Sequence, residues 1–404
     1  MILARPIRLD RDDDLEPAWE RIGLAPAARQ LLLESVGRAH LLITGLGLSE
    51  TRFLRDAEDP GVRIILSDRE RPGGATVSGT RAGLEALARL AERDRLMELA
   101  RSLDAAVAAD VPPDPTVLGG RTFRWGERTY LMGVVNITPD SFSDGGRHLE
   151  RAAAIQHALA LVAAGADLVD IGGESTRPGA GEVPAQVELD RVLPVLEAVR
   201  AQSDIPISVD TRKAPVAREA VRLGAVLVND VSGLGHDPAL ASVVAEAGAA
   251  LALMHIQGTP ETMQVDPRYD DVVAEVIEKL AGSIDRAVAA GVARERIWID
   301  PGIGFGKTLG HNLFLLRHLA ELRVLGAPVL MGTSRKRFIG ALAGGRPPEE
   351  RLPGTLASIA AVAVLQGADV VRVHDVQEAK DALAVADAIA RAREGGDLWR
   401  PSGP

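Results

Sequence analysis

The chain has 404 residues, 46% apolar and 25% charged, with a formal net charge of −10 and no cysteine. This suits one large domain or two with a substantial core, and the acidic balance argues against nucleic acid or an anionic membrane as the main partner. Disulfides and thiolate zinc sites are excluded, no apolar run reaches the roughly 18 residues of a membrane span, and the acidic start "MILARPIRLDRDDDLEPAWE" has no signal-peptide core, all of which predicts a cytoplasmic protein.

Residues 1–107 read as a small α/β or α+β domain. "AARQLLLESVGR" (27–38) has helical periodicity, and "HLLITGLGL" (40–48) and "VRIILSDR" (62–69) read as strands. In "GLGLSETRF" a helix capped by Ser49 is expected rather than a phosphate loop, and "LDRDDDLEP" reads as a solvated acidic run. The long amphipathic stretch "TRAGLEALARLAERDRLMELARSLDAAVAA" (80–109) closes the segment. An accessory role, in oligomerisation or in covering the next domain, is favoured over a second enzyme. "AADVPPDPTVLGG" (108–120), rich in Pro, Asp and Gly, reads as a linker.

From residue 121 to 395 apolar strands alternate with amphipathic helices, leaving 396–404 as a tail. "RTFRWGERTYLMG" (121–133) suggests a hairpin plugging a barrel floor. The strand candidates are "YLMGVVNI" (130–137), "LVDIGG" (168–173), "IPISVD" (205–210), "AVLVND" (225–230), "LALMHI" (251–256), "IWIDP" (297–301), "PVLMG" (328–332) and "VVRVHD" (370–375). Eight β-then-α units predict a (β/α)8 TIM barrel, with an open doubly wound sheet as the alternative.

Catalytic groups of such a barrel come from the C-terminal strand ends. Those ends carry Asn136, Glu174–Pro178, Asp210–Arg212, Asn229–Asp230, His255, Asp300, Ser334–Lys336, Arg372 and His374. Polar groups at every end point to one shared pocket. Asp210, Asn229 and Asp300 suit a flat heterocycle presenting N–H donors, while Arg177, Lys336, Arg372 and His374 suit phosphate or diphosphate. In "DPGIGFGKT" (300–308) the glycines suggest close backbone approach to a ligand, and the spacing is not that of a Walker A loop.

Two stretches, "GVVNITPDSFSDGG" and "DIGGESTRPGA", closely resemble signatures of the dihydropteroate synthases, the sulfonamide-targeted enzymes of folate biosynthesis. "SVDTRK", "NDVSGL", "LMHIQGTPETMQ", "DPGIGFGKTLGHN", "GTSRKRFIG" and "VVRVHDV" agree in order and spacing, so the resemblance covers about residues 121–395. It implies condensation of 6-hydroxymethyl-7,8-dihydropterin diphosphate with p-aminobenzoate, releasing pyrophosphate, with Mg²⁺ as cofactor and a homodimer as the assembly. By resemblance Asp210, Asn229, Met254, Asp300, Gly304, Phe305 and Lys336 bind pterin. Phe142, Thr176, Arg177, Pro178 and Arg337 hold p-aminobenzoate. Asn136, Arg372 and His374 hold the diphosphate, with Asn136 also on the metal, and Asp140 and Arg177 act from mobile loops alongside Lys336, Arg372 and His374. Gln257, where many members have arginine, and Arg337, where others have serine, depart from the pattern. The rival readings are a pterin-binding methyltransferase barrel and a non-catalytic pterin-binding homologue.

Overall fold

The computed structural model describes residues 1–7, 39–57, 62–67, 73–137, 146–176 and 181–392. It divides into two compact units, 1–112 with 321–326, and the remainder from 113.

In the first unit, strands β1 (Leu3–Pro6), β2 (Ala39–Leu46), β3 (Val62–Leu66) and β4 (Gly73–Gly79) form an antiparallel sheet in the order β1-β2-β4-β3. With helices α1 (Leu48–Asp56), α2 (Arg81–Arg93) and α3 (Met97–Ala108), this is an α+β unit. Leu41, Ile43, Ala75 and Val77 on one sheet face share a core with Leu84, Leu87, Leu99 and Leu103 of α2 and α3. The expected long helix over 80–109 is two helices, because Arg95 takes a left-handed φ of +62° and breaks the α-helical ladder. The cap of α1 is Gly47, two residues before the expected Ser49. The helix read at 27–38 and the acidic run at 9–17 lie outside the described residues.

The second unit starts within the stretch read as a linker. Residues 116–118 form strand β5 (Thr116–Leu118), which pairs antiparallel with β6 (Arg121–Phe123). The division between the units, after Pro112, falls inside that stretch, and the strand at its end was not legible because Thr-Val-Leu is too short to show a period between Pro and Gly residues. Eight parallel strands follow: β7 (Tyr130–Asn136), β8 (Leu168–Gly172), β9 (Ile207–Asp210), β10 (Leu227–Asp230), β11 (Ala250–Met254), β12 (Ile297–Asp300), β13 (Leu330–Met331) and β14 (Val370–Val373). The sheet runs in chain order from β7 to β12, with β14 on the other side of β7 and β13 beyond it. A parallel bridge between Ile299 and Val329 joins β12 to the start of β13 and closes the barrel. The outer helices are α4 (Gly146–Ala163), α5 (Ala185–Arg200), α6 (Ala214–Arg222), α7 (Leu240–Ala247), α8 (Val272–Ala289), α9 (Leu309–Arg317), α10 (Arg337–Leu342), α11 (Leu352–Val364) and α12 (Val376–Arg391). The open-sheet alternative is excluded.

The floor is closed by aromatic packing. Phe123, Trp125 and Tyr130 from the hairpin region share one buried cluster with Met132, Leu168, Leu227, Trp298, Leu330 and Val370 near the N-terminal strand ends. Trp125 and Trp298 meet edge-on with centroids 5.2 Å apart, and the Trp125 indole N–H donates to Thr116 Oγ1 at 3.1 Å. With the floor plugged, polar groups can gather only at the opposite mouth.

Candidate active site

The barrel geometry places Asn136, Asp210, Met254 and Asp300 as the last residues of β7, β9, β11 and β12, with Asn229 one residue before the end of β10. Arg372 lies within β14 and His374 follows it, while Lys336 caps α10 and Arg337 opens that helix. Asn136 is exposed at the end of an otherwise buried strand. Thr176 is the last described residue before a gap; Asp140, Phe142, Asp144, Arg177 and Pro178 lie outside the described residues.

The centre of the mouth is a charged network. Arg372 Nε donates to Asp170 Oδ2 at 2.7 Å, and its Nη2 donates to Asp210 Oδ2 at 2.9 Å. Asn229 Nδ2 donates to the same Asp170 oxygen at 3.0 Å. Burial pushes the Asp210 carboxyl up to about 8; Arg372 opposes that rise and Asp170 adds to it. Burial also raises Asp300, against the pull of Lys336. In the reverse sense burial brings the Lys336 ammonium down to about 8, with Asp300 opposing and Arg372 contributing. Lys336 donates to the Ile303 carbonyl and stands 4.9 Å from the centroid of the Phe305 ring.

Asp170 was not among the candidates from the sequence. Its signal was an acid in the middle of the apolar run "LVDIGG", where period-two reading places it on the barrel's inner side.

The loop after β12 is built by its neighbours. Asn312 Oδ1 accepts the Gly304 N–H at 2.6 Å and Gln264 Nε2 donates to the Gly304 carbonyl at 2.8 Å. Lys307 Nζ is shared between His255 Nδ1 at 2.9 Å and the Phe305 carbonyl at 3.0 Å. Burial, with Lys307 beside it, drops His255 to about 2, so the ring is neutral and Nδ1 accepts from the lysine. His255 is thus part of the loop's support. The expected reason for the glycines is corrected at two positions. Gly302 (φ +67°) has the His255 carbonyl oxygen 1.9 Å from where a Cβ would sit, and Gly306 (φ +61°) has the Gln257 carbonyl oxygen at 2.5 Å. These two glycines allow one protein loop to lie against another. Gly304 meets only Lys336 Cδ, at 3.4 Å.

The loops after β13 and β14 are tied together. Ser334 Oγ lies 2.9 Å from His374 Nδ1 and accepts the His374 backbone N–H at 3.2 Å. Arg335, at φ +57°, makes a two-point pair with Asp375 at 3.1 and 2.5 Å. The departure at Gln257 is inward-looking: its amide bonds both the carbonyl and the N–H of Arg268, at 2.9 and 3.2 Å, closing its own loop. Arg337 is exposed at the start of α10.

A buried ionic cluster lies beneath the loop after β8. Lys213 Nζ reaches Glu188 at 2.7 Å and Glu174 at 3.0 Å. Glu174 also accepts from Arg212 at 3.1 Å and from the Val183 N–H at 2.8 Å. Burial would raise Glu174, but these donors bring it below its ordinary value.

Residues 132–374 match the family described as pterin binding enzymes. The chain is 47% identical over 283 residues to the dihydropteroate synthase of Synechocystis sp., covering 70% of this chain and 98% of that protein. It superposes on a Yersinia pestis dihydropteroate synthase solved with a sulfonamide drug, with a TM-score of 0.65 and 45% identity over 69% of this chain and all of the other. A Xanthomonas albilineans dihydropteroate synthase solved with 4-aminobenzoic acid gives 0.64 and 47%, over 70% of this chain and all of that one. The matched length, the closed barrel and the polar mouth agree, and the chain belongs to the dihydropteroate synthase family of pterin binding enzymes.

Proposed function

We propose that the barrel mouth condenses 6-hydroxymethyl-7,8-dihydropterin diphosphate with p-aminobenzoate, giving 7,8-dihydropteroate and pyrophosphate. The observation that carries the reading is the acceptor set Asp210, Asn229 and Asp300 beside the cations Arg372 and Lys336 in one barrel mouth. The acceptors suit the N–H edge of a pterin ring, and the cations suit its oxo side and its diphosphate. Met254, Gly304 and Phe305 form the apolar and backbone walls. Thr176, Arg337 and the loop residues Phe142, Arg177 and Pro178 are assigned to p-aminobenzoate.

The substitution is dissociative. The bond between the pterin methylene carbon and the bridging oxygen breaks, and its electron pair leaves with pyrophosphate. Arg372, His374 and Asn136 hold the departing group, with Asp140 and Arg177 completing its enclosure. The methylene cation is delocalised into a ring whose protons face Asp210 and Asp300. The neutral aromatic amine then forms the C–N bond, and its surplus proton passes to solvent or the released pyrophosphate. Neither a covalent enzyme intermediate nor a strong base is required.

The residues present fit a magnesium requirement. Mg²⁺ takes hard oxygen ligands and commonly shares them between few protein groups and substrate phosphate. Asn136 offers such an oxygen at an exposed strand end, and among the described residues no three His, Cys, Asp or Glu side chains form a protein cage. When bound there with the diphosphate, Mg²⁺ supplies charge neutralisation on the leaving group.

The same proposal includes a cytoplasmic homodimer, supported by Val364 on α11 and Val385 and Ile389 on α12, which are 40%, 62% and 60% exposed. The test of the reaction is pyrophosphate release by the purified chain given dihydropterin diphosphate and Mg²⁺, with and without p-aminobenzoate. Release that requires p-aminobenzoate and yields dihydropteroate supports the reading. Folded protein that binds pterin yet releases nothing moves it to methyl transfer or simple binding.

A further inference from the structure

We propose that Asp170 is a positioning residue that sets the hydrogen-bond polarity of the pterin pocket by orienting Asn229 and Arg372; the inference rests on the pterin assignment above. Asp170 lies within β8 and is completely buried. Its Oδ2 receives the Arg372 Nε–H at 2.7 Å and an Asn229 Nδ2–H at 3.0 Å. A guanidinium can only donate, so this oxygen is an acceptor. An Asn side chain facing an acceptor must present its NH₂ end. The amide orientation of Asn229 is therefore decided by Asp170.

The consequence falls on the ligand. With Nδ2 committed to Asp170, Asn229 Oδ1 takes no side-chain or backbone donor among the described residues and is the atom left to act as an acceptor. Asp210 and Asp300 are acceptors beside it. The pocket edge then offers oxygen acceptors in succession, matching a ring edge made of adjacent N–H donors. A reversed Asn229 would set an N–H against a ring N–H. The second consequence concerns Arg372. Its Nε is fixed on Asp170 and its Nη2 on Asp210, leaving Nη1 without a partner among the described residues and directed by a two-point hold. One buried carboxylate thereby fixes both a ring contact and a phosphate contact.

Two features separate this role from simple core filling. Asp170 Oδ1 is buried with no hydrogen-bond partner among the described residues, a cost that an apolar residue there would avoid. Its other oxygen binds only groups assigned to substrate, and no backbone group that would hold the fold.

The test removes the acceptor and then restores it without charge. Binding of 6-hydroxymethyl-7,8-dihydropterin is measured by calorimetry, with the KM for p-aminobenzoate as the internal control, in wild type, D170L, D170A and D170N. D170L offers Asn229 and Arg372 no acceptor and should weaken pterin binding about tenfold to a hundredfold, with the p-aminobenzoate KM within about twofold of wild type. D170N keeps one acceptor: its carbonyl oxygen can face Arg372 and Asn229 while its NH₂ takes the place of the unpartnered Oδ1. It should bind pterin at least about tenfold better than D170L. If D170L does not fold, D170A, which also lacks an acceptor and adds no bulk, takes its place. A folded D170L or D170A that binds pterin like wild type, or a D170N no better than either, overturns the role of Asp170. Wild type that fails to bind the pterin instead overturns the assignment of the pocket.

Discussion

Lys336 and Asp210 illustrate how burial tunes single residues toward each other. The lysine is lowered to about 8 by burial and the aspartate is raised to about 8 by burial. Lys336 is cationic below that value and neutral above it, so its donation to the oxo side of a pterin is lost as pH rises through about 8. Asp210 is protonated below and anionic above, so its acceptor strength grows through the same range. The two limbs predict a bell-shaped kcat/KM for dihydropterin diphosphate with its maximum near pH 8. Lys336→Arg keeps a cation at every accessible pH, and its profile should lose the alkaline limb alone. A wild-type profile flat from about pH 7 to about 9.5 would show that neither group titrates in the productive site. At this scale the sequence was most informative where an ionisable residue ended a strand. It was least informative where a residue acted through another: Asp170 sat inside an apolar run, and Gln264 and Asn312 end two of the quoted motifs with nothing in their spacing to show that both serve the Gly304 peptide.

Between elements, the cluster of Glu174, Glu188, Lys213 and Arg212 joins the loop after β8 to α5 and to the N-terminus of α6. Glu188 is fully buried and Lys213 is 5% exposed, so their charges depend on one another. Lys213→Met keeps the side-chain length and removes the cation. It leaves Glu188 buried without its counter-charge, and should cost about 3–5 kcal/mol. Adding Glu188→Gln removes the stranded charge and should recover a large part of that loss. Urea unfolding of the three proteins checks this; equal stability of the single and double variants would show that the charge on Glu188 is not the source. The barrel strands were readable because parallel, doubly buried strands are near-continuous apolar runs. The first unit hid two of its four strands. β4, "GGATVSG", is completely buried yet has only Thr76 and Val77 as strand-favouring residues among glycines, Ala and Ser, and β1, "LARP", carries Arg and Pro. Their burial is imposed by neighbours: β4 lies between β2 and β3, pairing along most of its length with both.

For the molecule as a whole, the two units differ in what the comparisons say of them. The Synechocystis relative is covered over 98% of its length by 70% of this chain, and the solved relatives are covered completely by 69–70%. Those proteins fold and bear the synthase name with nothing matching the remaining part. Within this chain the barrel unit has its own floor, closed by Phe123, Trp125 and Trp298, and its own bridge between β12 and β13. Each unit also has a separate apolar core. A protein comprising residues 113–404 should therefore fold cooperatively and make dihydropteroate with a kcat/KM within about tenfold of the full chain, a difference of about 1.4 kcal/mol in transition-state stabilisation. Circular dichroism melting and the pyrophosphate assay, run on both proteins, decide it. A folded but inactive 113–404 protein would mean that the N-terminal unit takes part in the reaction, and the accessory role assigned to residues 1–107 would be withdrawn. Equal activity would leave the α+β unit with a task outside the condensation, to be sought in assembly or in binding.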